Sequence, residues 1–210
     1  MTIDWACLDV GETLIDETRV WAVWAAELGF TPLTFAAALG AAIVGGEADR
    51  SVFDVLEVPD WRSHDAAVDA RYGGFREEDL YPDARRSVER LQAMGLKVAI
   101  LANQPVARHP QLLALGFRPD VIAMSAELGL EKPDPAFFRR GLELMGDPDP
   151  ARVAYVGDRI DRDVAPSRAA GLRPVWIRRG PWGRLKVDRG HDAAMVVESL
   201  DEFVARVGEL

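Results

Sequence analysis

Acidic and basic motifs follow several of the apolar runs in this 210-residue chain. Asp9 lies at the end of the first run, and a later run is followed by Asp158 and Asp163. Carboxylates that converge in one crevice repel each other and raise each other's pKa unless a cation lies between them. Oxygen ligands of this kind suit hard Mg²⁺, and a remaining carboxylate could attack phosphorus as a nucleophile. Lys132 would add the positive charge that stabilises a transferring anionic group.

The elements that must position these residues are short apolar runs, each bounded by turn residues, which predict β-strands. Most runs lack apolar–polar alternation, as is typical of strands buried on both faces of a parallel sheet. The predicted strands are Trp5–Val10, Lys97–Leu101, Val121–Met124, Arg152–Val156, Pro174–Ile177 and, more weakly, Ala194–Val197. Open α/β sheets bind ligands beyond the carboxyl ends of their strands, so the polar motifs are expected together at that edge.

Helical patterns alternate with the predicted strands. Ala84, Val88 and Leu91 fall on one helical face, with Gly95 placed to end the helix. Asp134 followed by Pro135 is a typical helix start, and residues 199–206 predict a final short helix. Strand alternating with helix predicts an α/β fold with a Rossmann-like, doubly wound parallel sheet.

The connection after the first predicted strand is far longer than usual for such a fold. It has no good strand candidate but contains three helical stretches: residues 19–28, the run after Thr31–Pro32, and residues 50–56. We therefore expect a Rossmann-like core made of residues 1–15 and 82–210, with an all-helical cap inserted at residues 16–81. Trp21 and Trp24 in the cap are most simply packing residues, with a substrate-facing role as the alternative.

Composition excludes several functional classes. The net charge of −9 and the isoelectric point of about 4.9 disfavour nucleic acid or an anionic membrane as the main partner. Cys7 is the only cysteine, so an internal disulfide is impossible, and the N-terminus lacks the pattern of a signal peptide. No apolar run is long enough to cross a bilayer. We expect a cytoplasmic protein with a small-molecule partner, of an oligomeric state that the sequence does not indicate.

The order and spacing of the motifs resemble those of the haloacid dehalogenase superfamily. The motifs are Asp9 with Thr13–Leu14, then residues 101–104, then residues 132–135, and finally Gly157–Asp158 with Asp163. The resemblance covers residues 3–14 and 82–178, whereas the cap is similar only in position and helical character. It implies a Mg²⁺-dependent hydrolase, phosphatase-like, that acts on a small phosphorylated metabolite through an aspartyl-phosphate.

The resemblance also implies a role for individual residues. Asp9 is the nucleophile and Lys132 stabilises its charge, while Asp9, Asp158 and Asp163 are metal ligands. Thr13 is expected either to position the phosphoryl group or to cap the backbone. The Arg178–Arg179 pair with Trp182 and Arg184 is expected either to help hold an anionic substrate or to form a solvated loop.

Two positions depart from the family pattern. Gly11 replaces the aspartate that usually serves as general acid and base, although its backbone carbonyl could still bind Mg²⁺. Glu12 is the next candidate for proton transfer, a contribution typically worth about 10²–10⁴-fold in rate. Ala102 replaces the usual Ser or Thr, and either Asn103 or a backbone amide is expected to bind the phosphoryl group in part in its place. These departures predict that aryl and acyl phosphates are better substrates than sugar or alkyl phosphates.

The vacant positions keep an alternative open, namely a non-catalytic metal- or ligand-binding protein on the same fold. Two other branches of the superfamily are disfavoured. The metal-independent 2-haloacid dehalogenases usually lack the motif that stands here as Gly157–Asp158. The phosphonatase branch uses a lysine from the cap, but the lysines of this chain are Lys97, Lys132 and Lys186.

Overall fold

The computed structural model describes residues 3–45, 51–185 and 192–210. Its strands are β1 (Trp5–Leu8), β2 (Lys97–Ala102), β3 (Val121–Met124), β4 (Val153–Gly157), β5 (Arg173–Ile177) and β6 (Met195–Val197). All of them are parallel and form one sheet in the order β3–β2–β1–β4–β5–β6. The order runs outward in both directions from β1, which is the doubly wound arrangement. The predicted fold class is confirmed.

Each predicted strand is present, with ends that move by at most two residues. The largest change is at β1, where the regular strand stops at Leu8. The Asp9 amide still donates to the Val156 carbonyl at 2.9 Å, so the chain remains held against β4 for one more residue. It turns away after this hydrogen bond, which places the Asp9 side chain just beyond the carboxyl edge of the sheet.

Helices connect the strands. In the described part of the chain they are α1 (Thr18–Glu27), α2 (Pro32–Val44), α3 (Val52–Val55), α4 (Asp65–Tyr72), α5 (Ala84–Ala93), α6 (Arg108–Ala114), α7 (Ser125–Leu128), α8 (Pro135–Leu144), α9 (Ala165–Ala169), α10 (Gly180–Leu185) and α11 (Leu200–Arg206). The predicted starts of α8 and α11 are present, since Asp134 accepts from the Ala136 amide and Ser199 from the Glu202 amide. Gly95 follows α5 with a positive φ of 88°, which a residue without a side chain adopts easily.

The sheet separates two apolar clusters, as expected for strands whose successive side chains point to opposite faces. Ala6 and Leu8 of β1 belong to the larger cluster, whereas Trp5 and Cys7 belong to the cluster on the other face. Helices cover both faces, which leaves the carboxyl edge of the sheet as the place where polar side chains can gather.

The regular elements between β1 and α5 are all helical in the part of that segment that the structure describes, which also has two isolated β-bridges at Ile15. The helical elements have an apolar cluster of their own, centred on Trp24, Phe35 and Phe53. The residue Arg50, at which the third helical stretch was expected to begin, lies outside the described residues, and α3 begins at Val52.

The helical segment leaves and re-enters the core side by side. The Asp16 amide donates to the Asp79 carbonyl at 2.8 Å, and the Tyr81 amide donates to the Leu14 carbonyl at 3.0 Å. We call this pair of backbone hydrogen bonds the neck. Arg19 adds a bidentate ion pair with the Asp79 carboxylate just above it. The chain therefore passes between the core and the helical segment through two backbone stretches that lie side by side at the neck.

No single helix within residues 3–45, 51–185 and 192–210 is long and apolar enough to cross a membrane. The pair α1 and α2, bent by 111° at the break between them, meets the length and composition criteria only when taken together.

Candidate active site

A cavity of about 200 Å³ opens at the carboxyl edge of the sheet. Asp9, Asn103 and Asp158 reach it from the ends of three neighbouring strands, β1, β2 and β4. The remaining lining residues come from the following loops and from the helical segment: Gly11, Glu12, Glu17, Trp21, Gln104, Lys132, Arg159, Arg162 and Trp182. The topology therefore brings together most of the residues that the sequence predicted for the site.

The floor of the cavity is a buried cluster of three carboxylates and one ammonium. Lys132 Nζ lies 2.8 Å from Asp9 Oδ1 and 2.6 Å from Asp163 Oδ1. One oxygen each from Asp9, Asp158 and Asp163 lie within 4.8 Å of one another. All four side chains are at most 11% exposed, so this charge is held in a medium of low polarity where its interactions are strong.

Burial shifts the protonation equilibria of this cluster. Burial raises the pKa of Asp9 to about 6, against the opposing charge of Lys132. The pKa of Asp158 is raised well above its usual range, by burial and then by the charges of Asp163 and Asp9. For Lys132 burial acts downward, but the charges of Asp163 and Asp9 outweigh it and raise its pKa. Lys132 therefore stays positively charged, but its single charge does not balance the negative charge of the three carboxylates.

Asp158 is the carboxylate with an unused ligand atom. Its Oδ2 is buried and has no hydrogen-bond partner, whereas both oxygens of Asp163 accept hydrogen bonds, from Lys132 Nζ and from the Arg159 amide. A buried carboxylate oxygen without a partner is costly unless a cation or a proton satisfies it. Because the donor set is all oxygen and negatively charged, the residues fit a hard divalent cation such as Mg²⁺.

Close packing explains why residue 157 of the Gly157–Asp158 motif is a glycine. A Cβ on Gly157 would lie 2.4 Å from Cγ of Asp163 and 2.5 Å from its Oδ2. The π-helical turn Ile160–Val164 brings Asp163 back over the end of β4, into the space that a side chain at residue 157 would fill. Gly157 therefore allows Asp163 to reach Lys132.

Asn103 holds the lysine loop. Its side-chain Nδ2 donates to the Lys132 carbonyl at 2.9 Å, and its Oδ1 accepts from the Lys132 amide at 2.8 Å. The Lys132–Pro133 peptide bond that follows is cis. Asn103 was predicted to bind the phosphoryl group, and although it lines the cavity, its observed contacts position Lys132.

Glu12 lines the cavity but is firmly tied to the protein. One of its oxygens accepts from the Tyr81 hydroxyl, and the other accepts from the Glu17 amide at 3.1 Å. Its backbone has a positive φ of 49°, and its carboxylate lies where a Cβ on Gly180 would be. Burial raises the pKa of Glu12, with Tyr81 acting in the opposite direction. These contacts make Glu12 part of the wall that supports the start of α1.

Glu17 is a site residue that the sequence analysis missed. Its carboxylate lies on the cavity wall, and its Oε1 would be 2.5 Å from a Cβ on Gly11. Burial, followed by the charges of Glu12 and Asp9, raises the pKa of Glu17 to about 8. The sequence signal that could have found it is the glycine at residue 11, because the missing acidic side chain there suggests that a carboxylate comes from another residue.

Thr13 does not line the cavity. Its side chain is fully buried and its hydroxyl has no hydrogen-bond partner, while its carbonyl accepts from Arg179 Nη1 at 2.9 Å. The other end of the Arg179 guanidinium lies 2.6 Å from Asp83 Oδ2, which also accepts from the Leu200 amide. Arg179 was predicted to be either a solvated residue or a substrate contact, and both predictions are wrong. Its side chain is buried behind the Asp9 loop, where it links the Thr13 carbonyl to Asp83.

Two tryptophans cover the mouth of the cavity. Trp21 of α1 and Trp182 of α10 have ring centroids 6.1 Å apart, and the guanidinium of Arg159 lies 5.1 Å from the Trp182 ring. Trp24 packs inside the helical cluster, as predicted, whereas Trp21 also lines the cavity. The helical segment therefore supplies part of the site and not only a neighbouring surface.

A family model for haloacid dehalogenase-like hydrolases matches residues 3–171. The chain belongs to this family. Among curated relatives, this chain is 35% identical over 133 residues to glyceraldehyde 3-phosphate phosphatase of Methanocaldococcus jannaschii, covering 62% of the chain and 57% of the relative. It is 32% identical over 168 residues to phosphoglycolate phosphatase of Cereibacter sphaeroides, covering 74% of each.

A third relative is phosphoserine phosphatase of Thermus thermophilus, 37% identical over 112 residues, covering 50% of the chain and 45% of the relative. The chain thus spans about half the length of the first curated relatives it matches. Solved structures agree on the fold across nearly the whole chain. A HAD phosphatase from Thermococcus onnurineus aligns with a TM-score of 0.62 at 22% identity, over 99% of this chain and 98% of that one.

A HAD hydrolase from Bacillus subtilis, YfnB, bound to magnesium, aligns with a TM-score of 0.72 at 18% identity, over 99% of each chain. The L-2-haloacid dehalogenase from Xanthobacter autotrophicus aligns with a TM-score of 0.67 at 19% identity, over 98% of each chain. At such identities the structural likeness establishes the fold, which phosphatases and dehalogenases share. The choice between these activities must therefore come from the site.

Proposed function

We propose that the chain is a Mg²⁺-dependent phosphatase that hydrolyses a small phosphorylated metabolite through an aspartyl-phosphate on Asp9. The observation that carries the proposal is the buried cluster in which Lys132 Nζ lies 2.8 Å from Asp9 Oδ1, beside the unpartnered oxygen of Asp158. A buried carboxylate oxygen without a partner is costly unless a cation or a proton satisfies it, so the Asp158 oxygen supports a metal-dependent reaction. The phosphatase names of three curated relatives support the same chemistry.

Asp9 and Asp158 are the proposed metal ligands, with Asp163 completing the negative charge around the site and holding Lys132. When bound, Mg²⁺ would draw charge from the phosphoryl oxygens and bring the phosphorus to the nucleophile. Asp9 attacks phosphorus in line with the leaving oxygen, and the charge of Lys132 stabilises the oxygens of the transferring group. The contribution of the Gly11 carbonyl to the metal site stays a prediction.

The size of the cavity and the position of the helical segment bear on the substrate. A volume of about 200 Å³ accommodates a phosphoryl group with a short organic part. We propose residues 16–81 as the cap that selects this organic part, because Glu17 and Trp21 reach the cavity from it. Residues 1–15 and 82–210 form the proposed core that carries the phosphoryl-transfer groups.

The test is hydrolysis of 4-nitrophenyl phosphate with Mg²⁺ and with EDTA, for wild type and Asp9→Asn. We expect turnover that needs Mg²⁺ and is lost in the variant, because the amide is not a nucleophile. Asp4→Asn is the matched control, since Asp4 precedes β1 at the opposite edge of the sheet and forms an exposed ion pair with Arg152. Equal rates in wild type and Asp9→Asn would refute the proposal.

A further inference from the structure

Phosphate ester hydrolysis has a requirement that the Asp9, Lys132 and metal groups do not meet. An alkyl leaving group departs as a strongly basic alkoxide unless an acid protonates its oxygen as the P–O bond breaks. Among the described residues, the carboxyl groups on the cavity wall belong to Asp9, Glu12, Glu17 and Asp158. A carboxyl group among these four is the candidate proton donor if the enzyme acts on alkyl phosphates.

Three of these four carboxyl groups already have another proposed role or accept hydrogen bonds from the protein. Asp9 is the proposed nucleophile, and Asp9 and Asp158 are both proposed metal ligands. Glu12 accepts hydrogen bonds with both of its oxygens, from the Tyr81 hydroxyl and from the Glu17 amide. Its carboxylate thus fixes the backbone of the residue that remains, Glu17.

The position of Glu17 is the second observation. A Cβ on Gly11 would lie 2.5 Å from Glu17 Oε1 and 3.0 Å from its Cδ, which is far inside van der Waals contact. The Glu17 carboxylate therefore fills the space that a side chain two residues after the nucleophile would fill. A side chain at residue 11 would force the Glu17 carboxylate to move, so the glycine leaves the space in which this carboxylate lies at the start of α1.

We propose that Glu17 is the group that protonates the leaving oxygen, in the space that Gly11 leaves open. This proposal rests on the proposed phosphatase function and deepens it, because it assigns alkyl phosphate monoesters to the substrate class. It also differs from the sequence-based expectation that the lack of an acid favours aryl and acyl phosphates over sugar or alkyl phosphates.

The steps balance as follows. An Asp9 oxygen forms a bond to phosphorus, the P–O ester bond breaks, and its electron pair goes to the leaving oxygen, which takes the Glu17 proton. The alcohol leaves, and Glu17 remains as carboxylate. Glu17 then takes a proton from a water molecule whose oxygen attacks phosphorus. The bond between phosphorus and Asp9 breaks, its electron pair returns to Asp9, and inorganic phosphate and protonated Glu17 are produced.

The experiment compares kcat/KM for 4-nitrophenyl phosphate, whose leaving group departs as a stabilised anion, with that for ethyl phosphate, whose leaving group needs a proton. In Glu17→Gln we expect kcat/KM for ethyl phosphate to fall by about 10²–10⁴-fold, and that for the aryl ester by less than about 10-fold. Because water activation is also lost, the variant should release a burst of one nitrophenolate per active site before a slow steady state. Glu27→Gln, at the far end of α1, is the control and should match wild type on both substrates.

A relocated carboxylate provides a second test. Glu17→Ala removes both the acid and the obstruction, and Gly11→Asp then returns a carboxylate to the same space. We expect the double variant to recover at least about 10-fold of the ethyl phosphate activity lost in Glu17→Ala, whereas Gly11→Asp alone meets the Glu17 carboxylate and loses activity.

The outcomes separate the two proposals. Metal-dependent aryl turnover that needs Asp9, combined with equal effects of Glu17→Gln on both esters, with no effect on either, or with no ethyl phosphate turnover by wild type, overturns the role of Glu17 alone. Lack of any Asp9-dependent turnover of either ester overturns the phosphatase function itself.

Discussion

Removal of the Arg179 guanidinium should both destabilise the protein and loosen the Asp9 loop. In Arg179→Met, the Asp83 carboxylate would remain buried, with its side chain 6% exposed, and would keep only the backbone donors of Leu200 at 2.8 Å and Asp201 at 3.4 Å. Leaving one member of a buried pair without its partner typically costs about 3–5 kcal/mol. The loss of the hydrogen bond to the Thr13 carbonyl is part of this cost.

A loss of that size is a large fraction of the roughly 5–15 kcal/mol that holds a typical domain folded. It corresponds to a fall in Tm of about 6–20 °C for a chain of this length. The assay is urea unfolding followed by tryptophan fluorescence. Arg178→Met is the matched control, because Arg178 pairs with Glu198 at 3.4 Å on the surface and should contribute less than about 1 kcal/mol.

The pairing itself is tested by a double variant, Arg179→Met with Asp83→Asn. The amide oxygen of Asn can still accept from the Leu200 amide, and no buried charge is left over. We therefore expect the double variant to lie within about 2 kcal/mol of wild type, so that the two changes couple by more than about 1 kcal/mol. Additive effects, or a loss below about 1 kcal/mol in Arg179→Met, would refute the idea of a buried ion pair.

Three further predictions concern the site. Gly157→Ala should destabilise the protein by about 1–3 kcal/mol, measured by urea unfolding, because its Cβ would lie 2.4 Å from Asp163 Cγ; an unchanged midpoint would contradict the packing argument. Folding raises the pKa of Asp9 from 3.8 to about 6 and that of Glu17 from 4.5 to about 8, so the folded protein binds extra protons and its stability falls as the pH rises through this range. Tm in EDTA should thus be higher at pH 6 than at pH 8, and Mg²⁺ should raise Tm more at pH 8; the opposite order would refute it. Lys132→Met should raise the pKa of Asp9 further, because the neighbouring positive charge is lost. Without metal, calorimetry should therefore show that the variant is less stable than wild type at pH 8 and that this difference in stability shrinks as the pH is lowered.

The core was predictable because its signals are local. The apolar run before Asp9 predicts a buried strand wherever the chain places it, and parallel strands deliver their following residues to one edge. Asp9, Lys132 and Asp158 therefore meet as predicted. The turn at Asp134–Pro135 is equally local, since a side-chain cap and a restricted φ act within one turn of helix.

The parts that sequence reasoning missed depend on contacts between distant segments. Arg179 and Asp83 are separated by 96 residues, and nothing in either local sequence states that they pair. Thr13 shows the same limit, because only the packing decides which side of the Asp9 loop faces the cavity. Glu17 lies near Asp9 in sequence, but its carboxylate reaches the site only because the folded chain places the start of α1 beside Gly11.

The neck between Leu14 and Tyr81 has a consequence for how this chain can change over evolution. Two backbone hydrogen bonds fix the ends of the helical segment beside each other, so the core experiences the segment as a closed loop of whatever length. The entropy of closing a flexible loop grows only with the logarithm of its length, by about 0.6 kcal/mol for each doubling. This closure term therefore changes little between segments of different length inserted at this point, and such an exchange leaves the sequence of the strands that hold Asp9 unchanged.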